Sequence, residues 1–124
     1  MWSFDDGTII DDHEVANLLE RAADLIEHEG WSHGLWRSPN GGGYCAEAAI
    51  NIVATGTHRI SSSVPGWQLA LCAQWAVLSM QRATDCALVF WNDAPGRTEQ
   101  EVLDTLRAAA KDVEARAATR AERV

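Results

Sequence analysis

The chain has 124 residues, an apolar content of 47% and a formal net charge of −8. This length supports one domain with a real hydrophobic core and is too short for two. The longest apolar run, residues 86–91, falls far short of the roughly 20 residues that cross a bilayer, and the first residues lack the pattern of a signal peptide. Three cysteines without a close pair do not indicate a disulfide framework. We therefore expect a cytoplasmic protein with no membrane partner.

The negative charge is concentrated at the N-terminal end. Residues 1–30 carry nine acidic residues and one basic residue, Arg21, whereas residues 31–124 carry nine of each. A negative field disfavours direct contact with nucleic acid and favours a basic protein surface. A solvated helix face that keeps the protein soluble has the same composition. Both interpretations stay open at this point.

The first predicted helix spans residues 12–29. Its apolar residues recur at the spacing of one helix face. They are Val15, Leu18, Leu19, Ala22, Leu25 and Ile26. Asp11, followed three residues later by Glu14, resembles a capping box, and Gly30 supplies a left-handed stop.

A glycine-rich loop separates this helix from the second one. Residues 41–43 are three consecutive glycines, which permit backbone conformations closed to other residues. The second helix is expected to start near Tyr44 and to end at Gly56.

The third predicted helix follows Pro65 and Gly66 and is apolar on two sides. One stripe comprises Leu69, Cys72, Ala73, Ala76, Val77 and Met80. A second stripe comprises Leu71, Trp75 and Leu78. A helix that is apolar on two sides is usually packed on both, so we expect this helix to be central and Trp75 to be packed on its second side.

Residues 86–91 fit either a short buried strand or a helical piece. A lone strand needs a partner, and only residues 2–4 and 60–64 offer one, so the helix is favoured. The last helix begins after Thr98, which forms a capping box with Glu101.

These elements predict an all-α protein: a compact, irregular domain of four to five helices with room for one or two short strands. The predicted organisation is an acidic N-terminal segment over residues 1–11, a single helical domain over residues 12–113 and a charged helix end over residues 114–124. This last segment is rich in alanine and charge and is expected to fray.

Three segments, residues 18–31, 44–50 and 91–98, together resemble an actinobacterial and actinophage family catalogued as domain of unknown function 6197. In that family a helix ends in Gly-Trp, a Cys opens an Ala-rich helix, and an Asn-Asp turn with Arg-Thr leads into a final helix. Trp31, Cys45, Asn92, Asp93 and Arg97 occupy those positions in this sequence. The resemblance implies a folded domain and no particular activity.

Cys45 is the sharpest candidate for catalysis. It lies in the first turn of a predicted helix, where free N–H groups and the helix dipole favour a thiolate. His58 can act as its base, and Asn92 or Asp93 can orient the imidazole ring. Small free cysteines are also among the residues most often found in protein cores. The core interpretation is the more ordinary of the two.

A purely structural role accounts for the residue types in the turn at residues 92–98. Asn and Asp favour turns by bonding their own backbone, and Arg97 is placed to bridge back to Asp93. The functional alternative is a pocket for a small polar ligand. Its candidate lining residues are Trp31, His33, Trp36, Asn92 and Arg97.

The chemistry-bearing residues do not form a recognisable metal or nucleotide motif. The four histidines and three cysteines lack metal-ligand spacing, so we expect no metal and no cofactor. The leading hypothesis is a protein-interaction module that binds a protein partner or another copy of itself. The alternatives are a small Cys45-dependent enzyme or ligand-binding domain, and an acidic inhibitor that mimics nucleic acid.

Overall fold

The computed structural model describes residues 1–33 and 43–122. Within these ranges the chain forms two short strands and five helices. The elements are β1 (Trp2–Ser3), β2 (Ile9–Ile10), α1 (Asp12–Glu29), α2 (Ala46–Thr55), α3 (Trp67–Met80), α4 (Leu88–Asn92) and α5 (Glu99–Glu122). The expected mostly helical domain of four to five helices with short strands is confirmed.

Helix α1 organises the core. It packs most extensively against α5 and also against α2 and α3. The apolar stripe predicted for α1 faces this core, where Val15, Leu19 and Ile26 are completely buried. The predicted bounds of α1 are correct, and its N-cap, Asp11, accepts a hydrogen bond from the His13 N–H at 2.7 Å.

Strands β1 and β2 form an N-terminal hairpin, defined here as residues 1–10. They pair antiparallel, with Trp2 opposite Ile10. Residues 2–4 and 60–64 were the two candidate partners for a strand at 86–91; residues 2–3 do form a strand, whereas residues 60–64 do not. The strand at residues 2–3 pairs with the segment that directly follows it, because the turn around Gly7 reverses the chain, with the Phe4 N–H bonded to the Thr8 carbonyl at 2.9 Å.

Helix α2 begins two residues later than expected. Tyr44 is extended and forms a parallel bridge with Trp31, so the helix starts at Ala46 and Cys45 becomes its N-cap. The helical interpretation of residues 86–91 is confirmed by α4. Thr98 also caps α5 as expected, since its hydroxyl oxygen accepts a hydrogen bond from the Glu101 N–H at 3.2 Å.

The expectation that α3 is packed on both sides is wrong for part of its second stripe. Leu78 is buried, but Trp75 is 49% exposed and Leu71 is 39% exposed. The N-terminal hairpin and residues 84–86 flank this side of α3 and leave its middle open. The helical spacing of the apolar residues therefore located the stripe, but it could not show whether another element packs against it.

Candidate functional site

Asn92 joins three separate parts of the chain. Its side chain is completely buried. The Oδ1 atom accepts hydrogen bonds from the Trp31 indole N–H at 2.8 Å and from the Ala46 backbone N–H at 3.0 Å. The Nδ2 atom donates to the Ser32 carbonyl and to Asp93 Oδ1, both at 3.0 Å. One amide thus ties α4 to the end of α1 and to the start of α2.

The neighbourhood of Asn92 contains further candidate site residues. The Nε2 atom of His33 lies 3.1 Å from the Asp93 carbonyl oxygen, and the His33 ring contacts Trp31 edge-on at 5.4 Å. The parallel bridge between Trp31 and Tyr44 joins the chain after α1 to the chain before α2. Trp36 lies outside the described residues.

Arg97 fixes the turn after α4 through Trp91. Its Nε donates to the Trp91 carbonyl at 3.0 Å, and its guanidinium lies 4.3 Å from the centre of the Trp91 ring. A second nitrogen pairs with Glu101 at 3.3 Å. The hydrogen bonds seen for Arg97 hold the first turn of α5 against α4, rather than presenting the cation to a ligand.

Cys45 is an internal capping residue. Its side chain is completely buried, and its sulfur accepts a hydrogen bond from the Ala48 N–H at 3.4 Å. Burial raises the pKa of the Cys45 thiol to about 11, although the bond from Ala48 lowers it in part. Burial outweighs the helix N-terminus that the sequence argument relied on, so the thiol is protonated at neutral pH.

His58 lies at the opposite end of α2 from Cys45. Its backbone carbonyl accepts a hydrogen bond from the side chain of Asn51 at 3.0 Å, beyond the C-cap Gly56. A ten-residue helix is about 15 Å long, so the chain separates these two candidates by the length of α2. The structure thus brings together Trp31, His33, Cys45, Asn92 and Asp93, and leaves His58 on another surface.

A second feature was missed by the sequence analysis. The exposed side of α3 forms the floor of an apolar groove of about 440 Å³. Such a volume is within the range of ligand-sized clefts. The groove is lined by Trp2, Phe4, Leu71, Cys72, Gln74, Trp75, Leu78, Thr84 and Cys86. The signal for it was the second stripe of α3, which marks either a packed side or a binding surface.

The groove carries few polar groups. The Trp2 indole N–H is buried and has no hydrogen-bond partner in the described structure. Cys86 is partly exposed, and its thiol donates to the Ala83 carbonyl at 3.3 Å. Among residues 1–33 and 43–122, no group of three or more metal-ligating side chains is found.

The model of a family of unknown function, DUF6197, matches residues 11–112. The chain belongs to this family. No curated protein and no solved structure matches the chain. No described helix is long and apolar enough to traverse a bilayer.

The Asn92 cluster and the apolar groove differ in how fully the DUF6197 match covers them. All the residues bonded to Asn92 lie within the matched range. The α3 residues of the groove also lie within the matched range, whereas Trp2 and Phe4 precede residue 11 and lie outside it. One wall of the groove therefore comes from outside the part of the chain that matches DUF6197.

Proposed function

We propose that this DUF6197 protein is a cytoplasmic protein-interaction module that docks a partner protein in the apolar groove on α3. The observation that carries the proposal is the exposure of Trp75 and Leu71 at a concave surface. Large apolar side chains gathered in a cleft are unusual on a monomer and mark interaction sites.

The partner is a different protein rather than a second copy. Each copy carries a formal charge of −8, so two copies repel each other as they approach. The hairpin turn beside the groove adds Asp5 and Asp6, which repel their counterparts in a symmetric pair. A basic partner gains from the same charges.

The polar cluster around Asn92 supports structure rather than catalysis. Both polar atoms of the Asn92 side chain are bonded within the protein. Cys45 has a protonated, buried thiol, and His58 lies at the other end of α2. These observations weigh against the Cys45-dependent enzyme.

Ion pairs within the protein weigh against the nucleic-acid mimic. Arg107 on α5 pairs with three acids of α1, with N···O distances of 3.2–3.9 Å. These acids are Glu20, Asp24 and Glu27. Asp12 is likewise bound by Arg120. Much of the acidity predicted for an outward face is thus used to join α1 to α5.

The test is a selection of random 16-residue peptides displayed against the folded protein, followed by hydrogen exchange of each complex. We expect enriched peptides that compete for one site and protect the hairpin and residues 71–86 from exchange. Protection centred on residues 31–33 and 92–97 would support the ligand site near Asn92 instead. Failure to enrich any competing peptides would contradict the docking function.

A further inference from the structure

The N-terminal hairpin lies beside the groove and carries negative charge. Residues 1–10 contain two acidic side chains and no basic side chain, and the ammonium group of Met1 is paired with Asp12. Phe4 lines the groove and packs edge-on against Trp67 at the start of α3, with ring centres 5.8 Å apart. Asp6 accepts a hydrogen bond from the Gln68 side chain at 3.0 Å. These contacts fix the acidic turn at one end of α3.

The carboxylate of Asp6 keeps its charge. The Thr8 backbone N–H bonds it at 2.9 Å, and this bond is the main reason that the pKa of Asp6 is lowered. Asp5 is its exposed neighbour. At the other end, Asp85 is exposed between the groove residues Thr84 and Cys86. Acids therefore flank the groove at both ends.

We infer that the hairpin selects a basic amphipathic helix as the segment of the partner that binds in the groove. This inference rests on the docking function proposed above. Helix α3 presents Leu71 and Trp75 one turn apart, and an amphipathic helix offers apolar anchors at the same spacing. Lysine or arginine beyond those anchors then meets Asp5 and Asp6 at one end and Asp85 at the other. Arg82 precedes Asp85 by three residues, and Arg59 shares a neighbouring pocket with Leu71 and Gln74. These cations offset Asp85, so the selection rests on Asp5 and Asp6.

The hairpin precedes residues 11–112, so the acidic turn lies outside the range that matches DUF6197. The matched range supplies the groove residues of α3 together with Thr84 and Cys86, and the hairpin supplies Trp2 and Phe4. The acidic turn of the hairpin lies beside the start of α3, where Asp6 bonds to Gln68.

The test uses three 18-residue amphipathic peptides with leucines at positions i, i+3, i+4 and i+7. Their polar positions are lysine, glutamine or glutamate. We expect the lysine peptide to bind about tenfold more tightly than the glutamine peptide at low salt, from two or three exposed charge pairs. The preference should shrink in 0.5 M NaCl, a concentration at which the Debye length is only about 4 Å. The glutamate peptide should bind most weakly.

Two double variants separate local charge from net charge. The variant with Asp5→Asn and Asp6→Asn should lose most of the lysine preference. The variant with Glu29→Gln and Glu99→Gln loses the same net charge at exposed sites on other elements and should keep it. Equal effects of the two variants would overturn the inference. Equal binding of the lysine and glutamine peptides would also overturn the inference, while leaving the docking function intact. The absence of binding by all three peptides would overturn the inference as well.

Discussion

At the scale of single residues, Asn92 stands out because its short side chain makes four hydrogen bonds in the core. Replacing it with alanine removes the acceptor for the partly buried Trp31 indole N–H and for the buried Ala46 backbone N–H. Each such group costs about 1–3 kcal/mol. The sequence resemblance singled out Trp31 and Asn92 among its five positions, but not the hydrogen bond between them, because a contact between residues 61 positions apart cannot be read from local patterns.

We predict that Asn92→Ala lowers the free energy of unfolding by roughly 2–4 kcal/mol in urea denaturation. Asn17→Ala is the matched control, since Asn17 is exposed on α1 and alanine has the higher helix propensity. The control should be neutral or slightly stabilising. A loss below about 0.5 kcal/mol for Asn92→Ala would show that the buried network is not holding these elements together.

Gly43 supports a second prediction at this scale. It has φ of +109°, and a Cβ atom there would lie 2.9 Å from the Trp31 carbonyl carbon and oxygen. Gly96 has a similar φ of +81° but open space around it. Gly96→Ala should cost about 1–2 kcal/mol from backbone strain alone. Gly43→Ala should cost roughly 1–3 kcal/mol more, because the bridge to Trp31 must also move. Equal thermal unfolding temperatures for the two variants would contradict the close packing at Gly43.

The buried thiols predict a dependence of stability on pH. Burial is the main cause that raises the pKa values of Cys45 and Cys72 from 9.0 to about 11. Between pH 9 and pH 11 the unfolded chain releases protons that the folded chain retains, so stability falls as the pH rises. In urea titrations across this range, the double variant Cys45→Ala and Cys72→Ala should show a shallower decline than the wild type. Parallel declines would mean that the folded thiols titrate normally.

At the scale of elements, the predictability of each helix follows the strength of its local signal. The bounds of α1 were predicted correctly because one apolar stripe, a cap and a terminal glycine all agree. The start of α2 was misplaced because Tyr44 pairs with a distant residue. The strand β2 was missed because it has only two residues, too few for alternation to show. Its pairing is set by the turn at Gly7.

Helix α5 offers a test of capping. Thr98→Ala removes the acceptor for the Glu101 N–H and should destabilise the protein by about 1 kcal/mol. Thr119→Ala is the control, because Thr119 is exposed near the end of the same helix and its hydroxyl only bonds back to the Ala115 carbonyl. A control that loses as much as Thr98→Ala would contradict the specific role of the cap.

At the scale of the whole molecule, the fold class followed from the sequence, but the groove did not. Periodicity identified Leu71, Trp75 and Leu78 as one side of α3, and packing decided that only Leu78 would be covered. Whether another element covers a stripe depends on the tertiary arrangement. The placement of the hairpin against Trp67 is a contact of this kind.

The most direct test of the docking claim compares two exposed aromatic residues. Trp75 lines the groove, whereas Phe90 on α4 is 68% exposed and does not line it. Dissociation constants of the tightest selected peptide are measured for the wild type, Trp75→Ala and Phe90→Ala. We predict a loss of about tenfold or more for Trp75→Ala, as for an interface anchor, and a change within about twofold for Phe90→Ala. Equal affinities of the two variants, or a larger loss for Phe90→Ala, would contradict the account.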